Sequence, residues 1–548
     1  MYCLNSGEGY KLFMEAAQKD TYVDKTMMID TLYRYAMTAC KYICVTRPRR
    51  FGKSVTANMI AAFFDRSARE NSRKLFERSR VGSLKEEQEK ICSENPEGSE
   101  TGKLCWPVQG SLNVIRINMI DVLTDTVQTY TDFRNMLGNL LVKDLRELYP
   151  DIDFSDDQNI SNLLKQTGDK FVFVIDEWDA IFEMPFMQQE EDRKQYLLFL
   201  KGLLKDKFYV HFVYMTGILP IAKYTSGSPL NMFREFSAFK DNQFYPYFGL
   251  SRDEIQNLMQ SKGFSQPSLE ELTFWYDGYI RSHDGEHMFN PESVACALVD
   301  GKCESNWTGT GPMNEVRDII RHNVQDLRED IIRMVGGETL EISLSGFDAE
   351  KARVSTKDEI LSAMVVYGFL SYFNGQLCIP NHELMLKFQA ALSSRDLGLR
   401  QTLEESKRLL KATLSQKDRE VAEMIEDIHT QKIPFFAYHD ENSLACVVTI
   451  GYLAALDDYK ITREDKAGKG YADFTFEPRN NCFLPIILEL KYNHSVKNAL
   501  KCIRERGYIQ RFRDYPEVLL VGINYSEKTK KHTCRTERVV PADLPGQA

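Results

Sequence analysis

The chain has 548 residues, a formal net charge of −10 and 43% hydrophobic residues, so it is too long for a single core and carries no overall positive field for nucleic acid. Its twelve cysteines are scattered with no close CxxC pair, which argues against a disulfide framework or a paired-cysteine zinc site and fits reduced thiols. No run reaches the ~18 uninterrupted apolar residues of a membrane span, and the N-terminus lacks the basic-then-apolar layout of a signal peptide; the expected setting is cytoplasmic, with no membrane partner.

From about Tyr22 to Ser226, short apolar strands alternate with helical stretches, the pattern of a parallel α/β sheet. Three strands stand out: KYICV (41–45), FVFVI (171–175), whose unbroken apolar run suits burial on both faces, and VHFVYM (210–215). The first leads into a helix that opens at Ser54. The polar stretch 80–106 reads as an exposed insertion. From about Leu250 to Leu392 the helical signal dominates. Within it, 360–388 reads helix, hairpin, helix, with Asn374 and Gly375 as a tight turn, which gives a small winged-helix-like module. A charged helix over 400–428 then links to a last domain that opens with a helix and continues β-β-α-β. The expected fold class is α/β: a parallel sheet with helices (1–245), a helical and winged-helix-like region (246–395), a charged helical linker (396–430) and a last α/β domain (431–548).

TRPRRFGKSV (46–55) ends a strand, turns tightly, and begins a helix at Gly-Lys-Ser. The N–H groups at a helix start, together with its dipole, favour a phosphate. Lys53 would reach the β- and γ-phosphates of ATP, and the Ser54 hydroxyl would ligand Mg²⁺. Arg47, Pro48, Arg49, Arg50, Phe51 and Gly52 complete the loop around the nucleotide, with Arg47 standing where the standard motif has glycine. FVFVIDEWD ends its apolar strand in Asp176 and Glu177, at the strand end where open α/β sheets place ligands. Asp176 would hold Mg²⁺, directly or through water, and Glu177 would polarise the attacking water. A third strand ends at Thr216 and Gly217, where Thr216 either senses the γ-phosphate or simply makes a turn.

These motifs resemble the predicted AAA-ATPase-like family of microbial proteins. The resemblance is carried by RPRRFGKS, YVDKT (22–26), IDEWD, TGILPIAK (216–223), SPLNMF (228–233) and YFGLSRDE (247–254). It extends through WYDGY (275–279), FNPESV (289–294), NWTGTG (306–311) and LCIPNHE (377–383). In that family the Arg-Pro-Arg-Arg run replaces the usual glycine, so the resemblance makes Arg47 a family trait.

Near the C-terminus, YADFTFE and FLPIILELK flank a turn centred on Asn480 and Asn481. Residues paired across such a hairpin have numbers that sum to a constant, which sets Asp473 opposite Glu489 on one face. Lys491 follows two residues later, on the same face. Opposed carboxylates repel unless a cation sits between them, and hard Mg²⁺ suits oxygen ligands. Such an ion would activate a water and stabilise charge on a scissile phosphate, while Lys491 orients the nucleophile or neutralises the phosphate. The rival is a surface salt bridge of Lys491 with either acid. The apolar strand argues for partial burial instead, and Lys497, Lys501, Arg504, Arg506, Arg511 and Arg513 follow as a phosphate-tracking surface.

This arrangement resembles the PD-(D/E)XK nuclease superfamily, in the branch found fused behind the ATPase-like family. The resemblance implies a further acid from the domain's first helix, Glu441 first and Glu464 second, as a metal ligand. Where relatives often carry a glutamine on the following helix, this chain has Cys502.

The reading is therefore an ATP-binding and ATP-hydrolysing protein coupled to a Mg²⁺-dependent nuclease-like domain acting on nucleic acid, DNA by the superfamily's precedent. Its rival is a nucleotide-driven signalling or scaffold protein whose last domain binds nucleic acid or protein without cleaving it. A second rival is a nucleotide clamp without turnover, which would have no use for Glu177. No residue stands out as an arginine finger, and a homo-oligomer is left open.

Overall fold

The computed structural model describes residues 1–84, 108–154, 159–221, 229–238, 241, 243–281, 284–306, 327–335, 339–342, 356–392, 400–432, 444, 447–448, 450–467, 470–479, 483–505 and 508–541. The chain divides into two compact units, 1–312 with 342–383, and 313–341 with 384–548.

The first unit is built on five parallel strands: β1 (Tyr42–Thr46), β2 (Asn113–Asn118), β3 (Phe171–Asp176), β4 (Val210–Gly217) and β5 (Arg234–Phe236), in the order β2-β3-β4-β1-β5. Side chains alternate between two cores, as the strand period of two requires. Tyr42, Cys44, Phe171, Phe173 and Ile175 pack on one face with the helices Tyr130–Leu148 and Glu190–Leu204. Ile43, Val45, Val172 and Val174 pack on the other with α1 (Glu8–Ala17), α2 (Met27–Thr38) and α3 (Lys53–Phe64). Apolar residues pointing both ways are the reason FVFVI is an unbroken apolar run. Strand β4 lies between β1 and β3, with Val45 opposite Thr216 and Ile175 opposite Met215, so the three strand ends that carry the motifs are neighbours. Strand β2 escapes a reading by hydropathy because Arg116 interrupts it; the side chain is buried and donates to Asn58 and Glu8.

The remainder of this unit is helical. Capping boxes open the helices Arg252–Lys262 (Ser251 with Glu254), Leu269–Tyr276 (Ser268 with Glu271) and Lys357–Tyr367 (Thr356 with Glu359). The expected hairpin follows, Ser371–Phe373 against Gln376–Cys378, with Asn374 and Gly375 both at positive φ. Both this module and the Tyr279 segment before it pack directly on the phosphate loop. The ring of Phe51 meets Tyr279 edge-on at 4.9 Å, and Gly368 passes so close to Pro48 that a Cβ there would lie 2.6 Å from the proline Cβ.

The second unit carries a sheet in sequence order, β6 (Tyr459–Ala467), β7 (Gly470–Pro478), β8 (Ile486–Tyr492), β9 (Val518–Ser526) and β10 (Lys531–Val539). All pairs are antiparallel except β8 with β9, which are joined by α4 (Val496–Glu505). The expected β-β-α-β is present as β7, β8, α4 and β9, and the edge strands β6 and β10 are additions. The helix expected over 400–428 is two, Arg400–Leu414 and Asp418–Lys432, with Gln416 at φ 55 between them. The second of these is bound to β10, where Asp418 accepts the Thr536 N–H at 2.9 Å. The segment read as a linker is thus part of this unit's body. Residues 85–107, Asn480, Asn481, Glu441 and Arg506 lie outside the described residues, as does the side chain of Glu464. Among the described residues, no helix is long and apolar enough to cross a membrane.

Candidate nucleotide and nuclease sites

The phosphate loop leaves β1 at Thr46 and enters α3 through Gly52, whose φ of 84° only glycine adopts without strain. Lys53 is 4% exposed and donates to the Pro48 carbonyl at 3.0 Å. Burial draws its pKa down, while Glu177, Asp179 and Asp176 act to raise it. Asp176 is fully buried at the end of β3. Burial first, and then the neighbouring Glu177, push its pKa up to about 6, while the Ser54 hydroxyl holds it down. Its Oδ1 accepts the Glu177 N–H at 3.0 Å, and its Oδ2 has no hydrogen-bond partner. Glu177 is half-buried in a cavity shared with Lys53 and Ser54, at a positive φ of 49°. A non-glycine residue in that region is held there by its surroundings, here the buried strand end and Trp178. The Asp176 carboxylate, one of whose buried oxygens is unpartnered, and the Ser54 hydroxyl are hard oxygen donors, a set that fits Mg²⁺.

The other loop residues divide. Arg50 borders the cavity, donates to the Asn306 carbonyl at 2.7 Å and stands 3.7 Å from Glu292. Arg49 pairs with Glu183 at 2.9 Å, and Phe51 is buried. Arg47 departs from its expected place at the nucleotide. Its guanidinium is 2% exposed, ion-paired with Asp241, bonded to the Thr46 and Phe236 carbonyls at 2.8 and 2.9 Å, and 4.8 Å from the Phe248 ring. With its fork turned into the core it pins the loop to β5. Thr216 is likewise engaged: buried, with its hydroxyl donating to the Val45 carbonyl at 2.8 Å, it ties β4 to β1.

The acid of IDEWD after the Asp176–Glu177 pair, Asp179, has no role in the sequence reading. Asp179 is 6% exposed, and its Oδ2 accepts the N–H groups of Ile218 and Leu219 at 2.9 and 2.6 Å. Burial and then Glu177 push its pKa up to about 6. Gly217 makes this contact feasible, since a Cβ there would lie 2.3 Å from Asp179 Oδ1. Asp179 therefore braces the turn after β4 against the end of β3. The available signal was a second acid just past the strand-end pair, followed later by a small-residue turn.

In the second unit, the β7–β8 register pairs Phe474 with Leu488, Thr475 with Ile487 and Phe476 with Ile486. Extended by one step, it sets Asp473 opposite Glu489, as the hairpin arithmetic expects. The ladder stops there, and Asp473 Oδ2 accepts the Leu490 N–H at 2.6 Å. Glu489 is 1% exposed; its Oε1 accepts from Lys491 Nζ at 3.1 Å, and its Oε2 has no hydrogen-bond partner. Lys491 also donates to the Leu490 carbonyl at 2.7 Å. Glu489 is buried while Asp473 and Lys491 are half-buried, so this is not a surface salt bridge. The helix behind it is drawn tight against β9 at Gly522, where a Cβ would lie 3.0 Å from Ala499 Cβ. The cations expected on one helix are split between α4, which ends at Glu505, and the segment after it, and they are less available than their number implies. Lys501 pairs with Glu505, Arg504 with Glu537, Arg511 with Glu477 and Arg513 with Asp514. Cys502 is half-buried on α4.

A parallel sheet with Gly-Lys-Ser after β1 and Asp-Glu at the end of β3, one strand away, defines the Walker-type nucleotide-binding class. Residues 9–225 match the family described as predicted AAA-ATPase, and residues 439–534 match the PD-(D/E)XK nuclease superfamily, so the chain joins an AAA-ATPase-like domain to a nuclease-superfamily domain. No curated protein matches the chain. Among solved structures it is similar to a Walker-type ATPase of Pyrococcus abyssi, at 10% identity and a TM-score of 0.34, over 67% of this chain and 96% of that one.

Proposed function

We propose that the chain hydrolyses ATP at Lys53, Asp176 and Glu177, and uses Asp473, Glu489 and Lys491 to hydrolyse phosphodiester bonds in nucleic acid, DNA in particular. ATP turnover would control access of the nucleic acid to the second site. One observation carries the reading: each site holds a buried carboxylate oxygen without a hydrogen-bond partner, near a lysine, in Asp176 Oδ2 with Lys53 and in Glu489 Oε2 with Lys491. An unsatisfied buried polar group costs about 1–3 kcal/mol, a cost that cation binding offsets.

Ser54 and Asp176 would hold Mg²⁺ at the first site; Asp473 and Glu489 would do so at the second, joined by Glu441. When bound, the cation supplies charge stabilisation for the phosphoryl oxygens. The side chains do the rest. Lys53 exchanges the Pro48 carbonyl for β- and γ-phosphate oxygens, and the first N–H groups of α3 hold the phosphate chain. The Glu177 carboxylate accepts a hydrogen bond from the attacking water and aligns it. At the second site Lys491 Nζ turns from Glu489 toward the scissile phosphate and neutralises its charge.

The test measures ATP hydrolysis and nicking of supercoiled DNA side by side. Asp176→Asn is expected to remove the first activity and Glu489→Gln the second. The rival reading, a nucleotide-driven scaffold that binds without cutting, is favoured by the acid-paired cations around α4. It takes over if the wild type hydrolyses ATP and cuts neither DNA nor RNA.

A further inference from the structure

Four motifs that the phosphate chemistry does not use, WYDGY, FNPESV, NWTGTG and LCIPNHE, meet around one residue, Asn306. Its N–H donates to Glu383 Oε1 at 2.6 Å, and Ser293 Oγ donates to the other oxygen of that carboxylate at 2.8 Å. Glu383 is buried, so water does not compete for these bonds. Two residues before Asn306, the Tyr276 hydroxyl donates to the Glu304 carbonyl at 2.8 Å and accepts the Glu304 N–H at 3.0 Å. A further hold comes from the phosphate loop. Arg50 Nη1 donates to the Asn306 carbonyl at 2.7 Å.

This clasp sits where the chain changes units. The first unit passes into the second after Pro312 and again after Glu383. Asn306 lies shortly before the first crossing, and Glu383 is the last residue before the second. Arg50, at the other end of the clasp, is 21% exposed and borders the cavity that Lys53, Ser54 and Glu177 also line. Its φ is 70°, in the region that favours glycine, and an arginine stays there only where its surroundings hold it. The Asn306 carbonyl gives this guanidinium one neutral acceptor. A phosphate offers it two parallel bonds and a full opposite charge.

We propose that Arg50 reports bound nucleotide to the second unit. Before nucleotide binds, it grips the Asn306 carbonyl. Once Lys53 and Ser54 hold a triphosphate, the guanidinium leaves that carbonyl for a phosphate oxygen. The segment 304–306 then loosens at the point where the chain departs for the second unit. The proposal rests on the phosphate loop binding a nucleoside triphosphate, and it supplies the step by which binding governs the second site.

The experiment is hydrogen–deuterium exchange of the full chain, read at the Glu304 and Asn306 amides, with and without saturating ATP or inorganic tripolyphosphate in Mg²⁺. Calorimetry on the same samples follows binding. Both ligands speed exchange at these two amides about tenfold, the worth of one hydrogen bond to a charged group, while the phosphate loop becomes protected. Arg50→Ala exchanges there as fast without nucleotide as the liganded wild type, and gains nothing from ATP. The proposal is overturned if ATP binds the wild type yet leaves or slows exchange at Glu304 and Asn306. It is also overturned if Arg50→Ala keeps the slow exchange of the unliganded wild type, whether or not ATP then speeds it. In both cases the phosphate-loop reading stands on the measured binding. Should Arg50→Ala fail to fold, the wild-type comparison decides alone. If the wild type binds neither ATP nor tripolyphosphate, the phosphate-loop reading itself fails and this proposal goes with it.

Discussion

In the N-terminal unit the acids stand at the end of a buried parallel strand, and their partners arrive from far along the chain: Lys53 and Ser54 from one loop, Ile218 and Leu219 from another. In the C-terminal unit Asp473, Glu489 and Lys491 come from two adjacent antiparallel strands, and the lysine that pairs with Glu489 is two residues away on the same strand. The first site exists only when a whole sheet is assembled, whereas the second is fixed by one hairpin register. Remote substitutions should therefore damage the first site far more readily than the second.

The largest effects separate the two chemistries. Lys53→Ala and Asp176→Asn are each expected to lower ATP turnover at least a hundredfold, on the order of the loss of one aligned electrostatic group. Glu489→Gln is expected to lower DNA cleavage as severely while ATP turnover persists; loss of both activities in one variant would break the comparison. Next comes Arg47→Ala, which leaves Asp241 buried without its cation. That costs about 3–5 kcal/mol, and chemical denaturation should show it as an earlier unfolding transition of the first unit.

A smaller effect has the opposite sign. Asp176 has a folded pKa of about 6 against an ordinary 3.8, so the unliganded fold favours the protonated carboxyl. Stability contributed by that proton is present below the lower value and is lost as pH rises toward about 6. Asp176→Asn, which never ionises, should melt a few degrees higher than wild type at pH 7 and no higher at pH 4. Melting curves at the two values check this, and an equal shift at both would refute it. Smallest is Asp179→Asn: an amide oxygen braces Ile218 and Leu219 less strongly than a carboxylate, so turnover should fall about fivefold, worth ~1 kcal/mol, with ATP affinity unchanged.

The same contrast governs what could be read from residues alone. The helix start at Gly-Lys-Ser, the acids closing β3, the Asn374–Gly375 turn and the hairpin register of β7 with β8 are local patterns, and each is present in the fold, the helix opening at Lys53, one residue before the Ser54 expected. The inward turn of Arg47 was not legible, because its partner Asp241 is distant in sequence and only β5 brings them together. Strand β10 was missed because its buried positions include His532 and Thr536, polar residues that hide the alternation. The break after Leu414 was missed because Gln416, and no glycine, takes the positive φ there.

The measurement that bears most directly on the two-site account is cleavage of plasmid DNA in Mg²⁺, with and without ATP, by the wild type, Asp473→Ala and Lys53→Ala. The account predicts ATP-dependent cutting by the wild type, none by Asp473→Ala, and cutting by Lys53→Ala that no longer responds to ATP. A wild type that hydrolyses ATP yet cuts neither DNA nor RNA would contradict it.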